Sequence, residues 1–135
     1  MEEELEKLEC KNIQIFSLKD RSFQAKVVSV YDGDTITAVF KLFDLYYKWQ
    51  CRLDGIDTPE IKSKNPDEKK LAVAARDFLR EKLLDHVVTL KCDDFDKYGR
   101  LLVQVYLKDE NLNSTLIDQN FAKKYDGGTK EKWCE

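Results

Sequence analysis

Short apolar runs rich in β-branched and aromatic residues recur along the chain between polar turn segments. AKVVSV (25–30), TITAVFKLF (35–43) and YKWQCRL (47–53) follow one another closely, and Asp-Gly turn chemistry at 32–33 separates the first two. Runs of this length and composition are typical of strands that bury one face. The pattern predicts a meander of three antiparallel strands.

The second half of the chain alternates helical and strand patterns. In NPDEKKLAVAARDFLREKLLDH, Asn65 is a predicted N-cap, Pro66 stands at the first helical position and Glu68 completes a capping-box-like pattern. The apolar residues expected on one face of this helix are Leu71, Ala75, Phe78, Leu79 and Leu83. Two further strands are predicted at VVTLKC and RLLVQVYL, on either side of the turn-like DDFDKYG. The segment LNSTLIDQN (112–120) predicts a second, shorter helix.

Three strands, a helix, two strands and a helix are the order of elements in an OB-fold. We therefore predict an α+β fold, mainly β: a five-stranded barrel with a helix inserted after the third strand and another near the C-terminus. The chain of 135 residues is long enough for one domain with its own core. We assign 1–22 to an acidic N-terminal tail and 23–135 to the OB-fold domain.

Charge is distributed unevenly. The formal net charge is −3, but the first ten residues, MEEELEKLEC, carry −4, so the remaining 125 residues carry +1. A nearly neutral body argues against coating nucleic acid by bulk electrostatics, yet it can still present a local basic face. Lys62, Lys64, Lys69, Lys70, Lys123 and Lys124 are the candidates for such a rim.

Cysteine spacing and hydropathy indicate the cellular setting. The four cysteines form no CxxC pair, so we expect reduced thiols and neither a zinc knuckle nor a redox motif. No apolar run approaches the length needed to cross a membrane, and glutamates occupy the N-terminus where a signal peptide carries basic and then apolar residues. We expect an intracellular, cytoplasmic monomer.

Two clusters of carboxylates stand at predicted strand ends. Asp32 and Asp34 precede the second strand, and Asp57 and Glu60 follow the third. In a meander these two positions lie at the same end of the sheet, so the clusters should converge. Two like charges in contact repel each other by about 1 kcal/mol even in water. A hard divalent cation such as Ca²⁺ would balance them with oxygen ligands, although either Asp-Gly pair taken alone reads as an ordinary turn.

Two arginines are predicted to stand on strands beside these carboxylates. Arg52 ends the third strand, and Arg100 follows the turn DKYG at the start of the fifth. A guanidinium held by a rigid strand is suited to a bidentate grip on phosphate. Either arginine alone could equally form a surface ion pair, but together with the acidic clusters they favour a site for cation and phosphate.

The motifs VYDGDT, RLDGIDTPE and DKYGR, in this order and with a helix between the second and third, resemble the staphylococcal nuclease (thermonuclease, micrococcal nuclease) family over about residues 25–125. The resemblance implies a Ca²⁺-dependent phosphodiesterase that acts on DNA and RNA, favours single strands and leaves 3′-phosphate ends. The turn around FDLYY is longer than in the type enzyme, and substrate access could differ there.

The resemblance also implies roles for individual residues. Asp34, Asp57 and the backbone carbonyl of Thr58 correspond to calcium ligands, with Asp32 in or just outside that shell. Glu60 corresponds to the carboxylate that activates or orients the attacking water, and Arg52 and Arg100 to the arginines that grip the phosphate. The residues that correspond to substrate-binding positions are Lys97, Tyr98 and Tyr125.

Two other functions remain open from the sequence. A non-catalytic OB-fold module could bind single-stranded nucleic acid or a protein partner, although such modules typically lose the arginines or the metal carboxylates. A structural Ca²⁺-binding domain would leave Arg52 and Arg100 unexplained. Tyr46, Tyr47 and Trp49 could stack on bases, but aromatic residues on strands more often pack within the protein, so they are outside the predicted site.

Overall fold

The computed structural model describes residues 2–128, 130 and 133. A short N-terminal helix, a single 3₁₀ turn at Cys10–Asn12 and then strands and two further helices follow one another along the chain. The elements are α1 (Glu2–Glu6), β1 (Ser22–Val30), β2 (Thr35–Leu42), β3 (Leu45–Leu53), β4 (Ile56–Asp57), α2 (Pro66–Leu83), β5 (Val87–Phe95), β6 (Leu101–Leu107), β7 (Glu110–Asn111), α3 (Leu112–Asp118) and β8 (Lys123–Lys124).

The main sheet closes into a barrel. Its strand order is β3-β2-β1-β5-β6-β7, and a parallel pairing of β3 with β6 joins the two sides. This pairing is short and aligns Cys51 with Leu101 and Leu53 with Val103. The predicted five-stranded OB-fold barrel, mainly β with an inserted helix and a second helix near the C-terminus, is confirmed. The short strands β4, β7 and β8 are additions to it that the sequence pattern did not predict.

Helix α2 begins as predicted, with one difference in its capping. The Asn65 side chain accepts hydrogen bonds from the backbone N–H groups of Asp67 and Glu68, at 2.9 and 3.2 Å. The Glu68 carboxylate accepts its bond from the backbone N–H of Glu60, at 3.1 Å. It thereby ties the loop that follows β4 to the first turn of the helix.

The buried face of α2 is shifted from the predicted one. The buried residues are Ala72, Ala75, Leu79 and Leu83. Leu71, which was expected on this face, is 41% exposed. Spacings of three and four residues place the small Ala72 and Ala75 against the barrel, where a close approach requires short side chains. Phe78 lies at the edge of the face, where its ring centroid is 4.8 Å from that of Phe121.

The barrel interior is filled by apolar side chains and one aromatic stack. The Phe40 ring lies between Phe23 and Trp49, with centroid separations of 4.2 and 4.6 Å. Leu18, within the segment predicted as a tail, is fully buried in this core. Helix α1 by contrast has no buried residue. No helix in the described part of the chain is both long and apolar enough to cross a bilayer.

The turn between β2 and β3 is tight. Only Phe43 and Asp44 separate the strands, with φ angles of 52° and 69°. Two successive residues with positive φ match the twist of a two-residue hairpin. The strands therefore extend further toward the tip than the segment FDLYY suggested, and 45–47 belong to β3 rather than to the turn.

Candidate active site

The turn between β1 and β2 carries the first acidic cluster. An Asp32 carboxylate oxygen accepts the backbone N–H of Asp34 at 3.0 Å. Asp34 is buried and accepts the Thr35 hydroxyl at 3.1 Å. Burial, followed by repulsion from the Asp34 carboxylate, raises the pKa of Asp32 to about 7. A nearby cation would oppose both effects and favour the ionised form of Asp32.

Arg52 is held rigidly at the end of β3. Its Nη2 donates to the Ile56 carbonyl at 2.9 Å and approaches an Asp34 carboxylate oxygen at 3.4 Å, while Nη1 donates to the Leu53 carbonyl at 3.2 Å. Only 9% of the residue is exposed. Its guanidinium is fixed before any ligand arrives, which lowers the entropic cost of gripping an anion.

Arg100 is oriented by the turn that precedes β6. Its Nε donates to an Asp96 carboxylate oxygen at 2.8 Å, and the other oxygen accepts the backbone N–H groups of Tyr98 and Arg100. Burial alone would raise the pKa of Asp96, but these hydrogen bonds and the Arg100 charge lower it overall. The Arg100 guanidinium also lies 5.5 Å from the Tyr98 ring centroid.

One cleft brings most of the predicted phosphate- and substrate-binding residues together. Its volume is about 760 Å³, and Arg52, Arg100, Lys97, Tyr98 and Tyr125 line it together with Lys130. Across the cleft, the Arg52 guanidinium lies 5.8 Å from the Tyr125 ring centroid. Two cations, one at the end of β3 and one just before the neighbouring β6, are flanked by aromatic rings and can bind the phosphate and base of a nucleotide.

The second acidic cluster lies beside this cleft. Asp57 and Thr58 are buried, and strand β8 pairs with β4 so that Lys123 stands opposite Asp57. Glu60 is exposed, and its position is set by the bond from its backbone N–H to Glu68. Of the predicted basic rim, Lys123 and Lys124 therefore lie next to Asp57.

Two residues that the sequence did not single out contact Asp57. The Lys130 Nζ lies 3.1 Å from one carboxylate oxygen of Asp57 and 3.8 Å from Glu60. The Trp133 Nε1 donates to the other Asp57 oxygen at 3.3 Å. Burial opposes the charge of Lys130, but its contacts with the two carboxylates raise its pKa overall. No motif marks these residues, because only the tertiary structure places Lys130 and Trp133 beside Asp57.

The sequence is similar to those of known proteins. A model of the staphylococcal nuclease homologues matches residues 50–133. The chain belongs to the staphylococcal nuclease family. It is 36% identical over 101 residues to a thermonuclease of Staphylococcus hyicus, across 73% of this chain and 57% of that protein.

Two further relatives of the family show similar coverage. The chain is 36% identical over 99 residues to a thermonuclease of Staphylococcus intermedius, across 72% of this chain and 56% of that protein. It is 30% identical over 127 residues to an uncharacterized protein of Methanocaldococcus jannaschii, across 76% of this chain and 59% of that protein. The match thus spans little more than half the length of each of these relatives.

The donor groups of the two acidic clusters suit a hard cation in their chemical type, but their side chains are not gathered around one point. Asp32, Asp34, Asp57 and the Thr58 carbonyl offer only oxygen, which Ca²⁺ prefers. Burial, and after it the neighbouring Asp34 carboxylate, raise the pKa of Asp32, and a cation close to both carboxylates would lower it again. Among residues 2–128, 130 and 133, no three His, Cys, Asp or Glu side chains are grouped closely enough to hold a metal. Arg52 pairs with the Asp34 carboxylate, and Lys130 pairs with the Asp57 carboxylate.

Proposed function

We propose that this chain is a Ca²⁺-dependent nuclease that hydrolyses phosphodiester bonds of DNA and RNA. The observation that supports this most is the position of Arg52 and Arg100 in a single cleft, each anchored by its own acceptors and each beside an aromatic ring. Family membership supports the same activity.

The arginines would stabilise the reaction's transition state. Attack on a phosphodiester increases the negative charge on its nonbridging oxygens. Arg52 and Arg100 are already held in place, so they meet that charge with little reorganisation. Tyr98 and Tyr125 would contact the sugar or base, and Lys97 would contact a neighbouring phosphate.

Glu60 would orient and deprotonate the attacking water. It is exposed, and both its backbone and its loop are tied to α2, so its carboxylate can reach a water at the mouth of the cleft. Asp34, Asp57 and the Thr58 carbonyl would hold the cation, with Asp32 beside them. A bound Ca²⁺ would polarise the phosphate oxygens and neutralise part of their charge.

A nuclease assay with matched variants tests this proposal. We expect the protein to cleave single-stranded DNA and RNA with Ca²⁺, to be inactive with a chelator, and to lose about 100-fold or more in rate on Arg52→Ala or Arg100→Ala. Arg76→Ala is the control, because Arg76 lies on α2 and pairs with Asp77 outside the cleft. End-group analysis should find 3′-phosphates.

Two results would contradict the proposal. Cleavage that persists in Arg52→Ala and Arg100→Ala would place the activity elsewhere or in a contaminant. Tight binding of single strands without turnover at any Ca²⁺ concentration would favour a non-catalytic OB-fold module.

A further inference from the structure

The outer face of the β2–β3 hairpin carries a row of polar and aromatic side chains that ends in the cleft. Successive residues of a strand point to opposite faces, so Tyr46, Lys48, Gln50 and Arg52 share one face of β3. Strand β2 places Lys41 opposite Tyr46. We call these five residues the hairpin row. Arg52, its last member, lines the cleft itself.

The far end of the hairpin row is open to solvent. Tyr46 is 72% exposed, and its ring is approached by the Lys41 Nζ at 5.8 Å. Lys41 and Lys48 are also exposed. Trp49, one position along, faces inward and packs on Phe40. Pairing of β3 with β6 covers only 51–53 in the described residues, so the outer part of β3 forms an edge.

The charge of the hairpin row suits a polyanion. Three of its five members are cationic, and Asp44 is the one carboxylate in β2, β3 and their turn. None of the ion pairs among the described residues involves Lys41 or Lys48, so neither charge is neutralised by a carboxylate contact there. An exposed aromatic ring between two such lysines offers stacking and phosphate contacts together.

We propose that the hairpin row binds the nucleotides on one side of the scissile phosphate in a single-stranded nucleic acid, with Tyr46 stacking on a base and Lys41 and Lys48 contacting phosphates. The inference rests on the proposed function for the position of the scissile phosphate. Six residue steps along β3 lead from Tyr46 to Arg52, a distance of about 20 Å. That length suits a site of several nucleotides, since an OB-fold binds roughly four or more.

The first test measures binding without turnover. A labelled oligothymidylate of about twelve nucleotides, a length within OB-fold site sizes, is titrated with protein in EDTA and followed by fluorescence anisotropy. Tyr46→Ala should weaken binding roughly five- to one-hundred-fold, whereas Tyr46→Phe, which keeps the ring, should bind like the parent. Lys48→Gln should lower the slope of log Kd against log salt by about 0.7.

A control variant guards against general charge effects. Lys108 lies in the turn between β6 and β7, beyond the end of β6 that is remote from the hairpin tip, and has a φ of 55°. Lys108→Asn removes the charge and keeps a residue that tolerates this φ. It should leave the salt slope unchanged. A slope that falls equally for Lys108→Asn and Lys48→Gln would overturn the proposal.

The second test separates the hairpin row from the proposed catalysis. With Ca²⁺, Tyr46→Ala should lower kcat/KM for the long oligomer and leave a dinucleotide unaffected. Parent-like kcat/KM and affinity for the long oligomer would overturn the inference while the nuclease function stands. Equal losses on both substrates would also overturn it, by assigning the effect to the cleft. If the parent binds but never cleaves, the nuclease function fails, and the anisotropy results for Tyr46 and Lys48 alone decide the hairpin row.

Discussion

The ammonium nitrogen of Lys130 lies 3.1 Å from a carboxylate oxygen of Asp57, although the two residues are 73 positions apart. Asp57 is 5% exposed, so this contact satisfies a buried charge. The same carboxylate is a proposed calcium ligand. Lys130 and a cation would therefore compete for Asp57.

Removing Lys130 should strengthen calcium binding. We expect Lys130→Ala to lower the Kd for Ca²⁺ by roughly threefold to tenfold, because a unit charge near contact is worth about 1 kcal/mol in a well-solvated setting. Lys130→Arg keeps the charge and should resemble the parent. Isothermal titration calorimetry measures this without any turnover, and a weaker affinity in Lys130→Ala would show that Lys130 helps to assemble the site.

The two cleft arginines should differ in their effect on stability. Arg52→Ala removes the guanidinium donor from the Ile56 and Leu53 carbonyls and from one carboxylate oxygen of the buried Asp34, so it should lower the free energy of unfolding by about 1–3 kcal/mol. Arg100→Ala removes a more exposed ion pair and should cost less than about 1 kcal/mol. Urea denaturation measures both, and equal losses would contradict the different burial of the two side chains.

The pKa of Asp96 predicts a stability change in acid. Its folded-state pKa is below the ordinary value of 3.8, so its stabilising contribution is complete above that pH and is lost as pH falls through the folded pKa. Asp96→Asn cannot titrate. The stability difference between the parent and Asp96→Asn should therefore shrink as the pH is lowered below 3.8. Urea denaturation across this pH range checks it, and a constant difference would contradict it.

Gly33 should not tolerate a side chain. A Cβ at this position would lie 2.9 Å from both the Ala75 Cβ and the Thr58 Cγ2. Gly33→Ala should lower the free energy of unfolding by about 1–3 kcal/mol through overpacking. It should also reduce Ca²⁺ affinity, because Asp32 and Asp34 flank it. Adding Thr58→Ser removes one contact and should recover part of the stability; no recovery would locate the strain at α2 alone.

Cysteine reactivity should follow burial. Burial, then repulsion from Cys92, raises the pKa of Cys51 to about 12, and burial raises that of Cys92 to about 11 although Arg21 opposes it. Cys10 is exposed. Iodoacetamide near neutral pH should therefore label Cys10 in the folded protein, and Cys51 and Cys92 only in denaturant. Peptide mapping separates these from Cys134, which lies outside the described residues, and labelling of Cys51 in the folded protein would contradict the prediction.

Local sequence chemistry was sufficient to predict the five long strands of the barrel and the start of α2. The runs at β1, β2, β3, β5 and β6 are dominated by residues that fit a half-buried pleated surface, and Asn65-Pro66 marks the start of α2 by its own capping chemistry. These signals act within a few residues, so they can be read without the fold. Boundaries were less accurate: the hairpin turn is shorter and the buried face of α2 includes Ala72 rather than Leu71.

Some residues of the candidate site could likewise be predicted from the sequence, whereas others became evident only in the tertiary structure. The motifs named Arg52, Tyr98 and Arg100, and the family resemblance added Tyr125. The tertiary structure, including the β3–β6 pairing, brings these residues to one cleft. The sequence could not indicate that Lys130 and Trp133 contact Asp57, nor that Tyr46 faces solvent while Trp49 packs inside. By itself the sequence determined which chemical groups are present and which segments form the five long strands and the two longer helices, because those depend on neighbours along the chain. Only the tertiary structure decided which charges meet and which rings are buried, because these depend on barrel closure between residues far apart in the sequence.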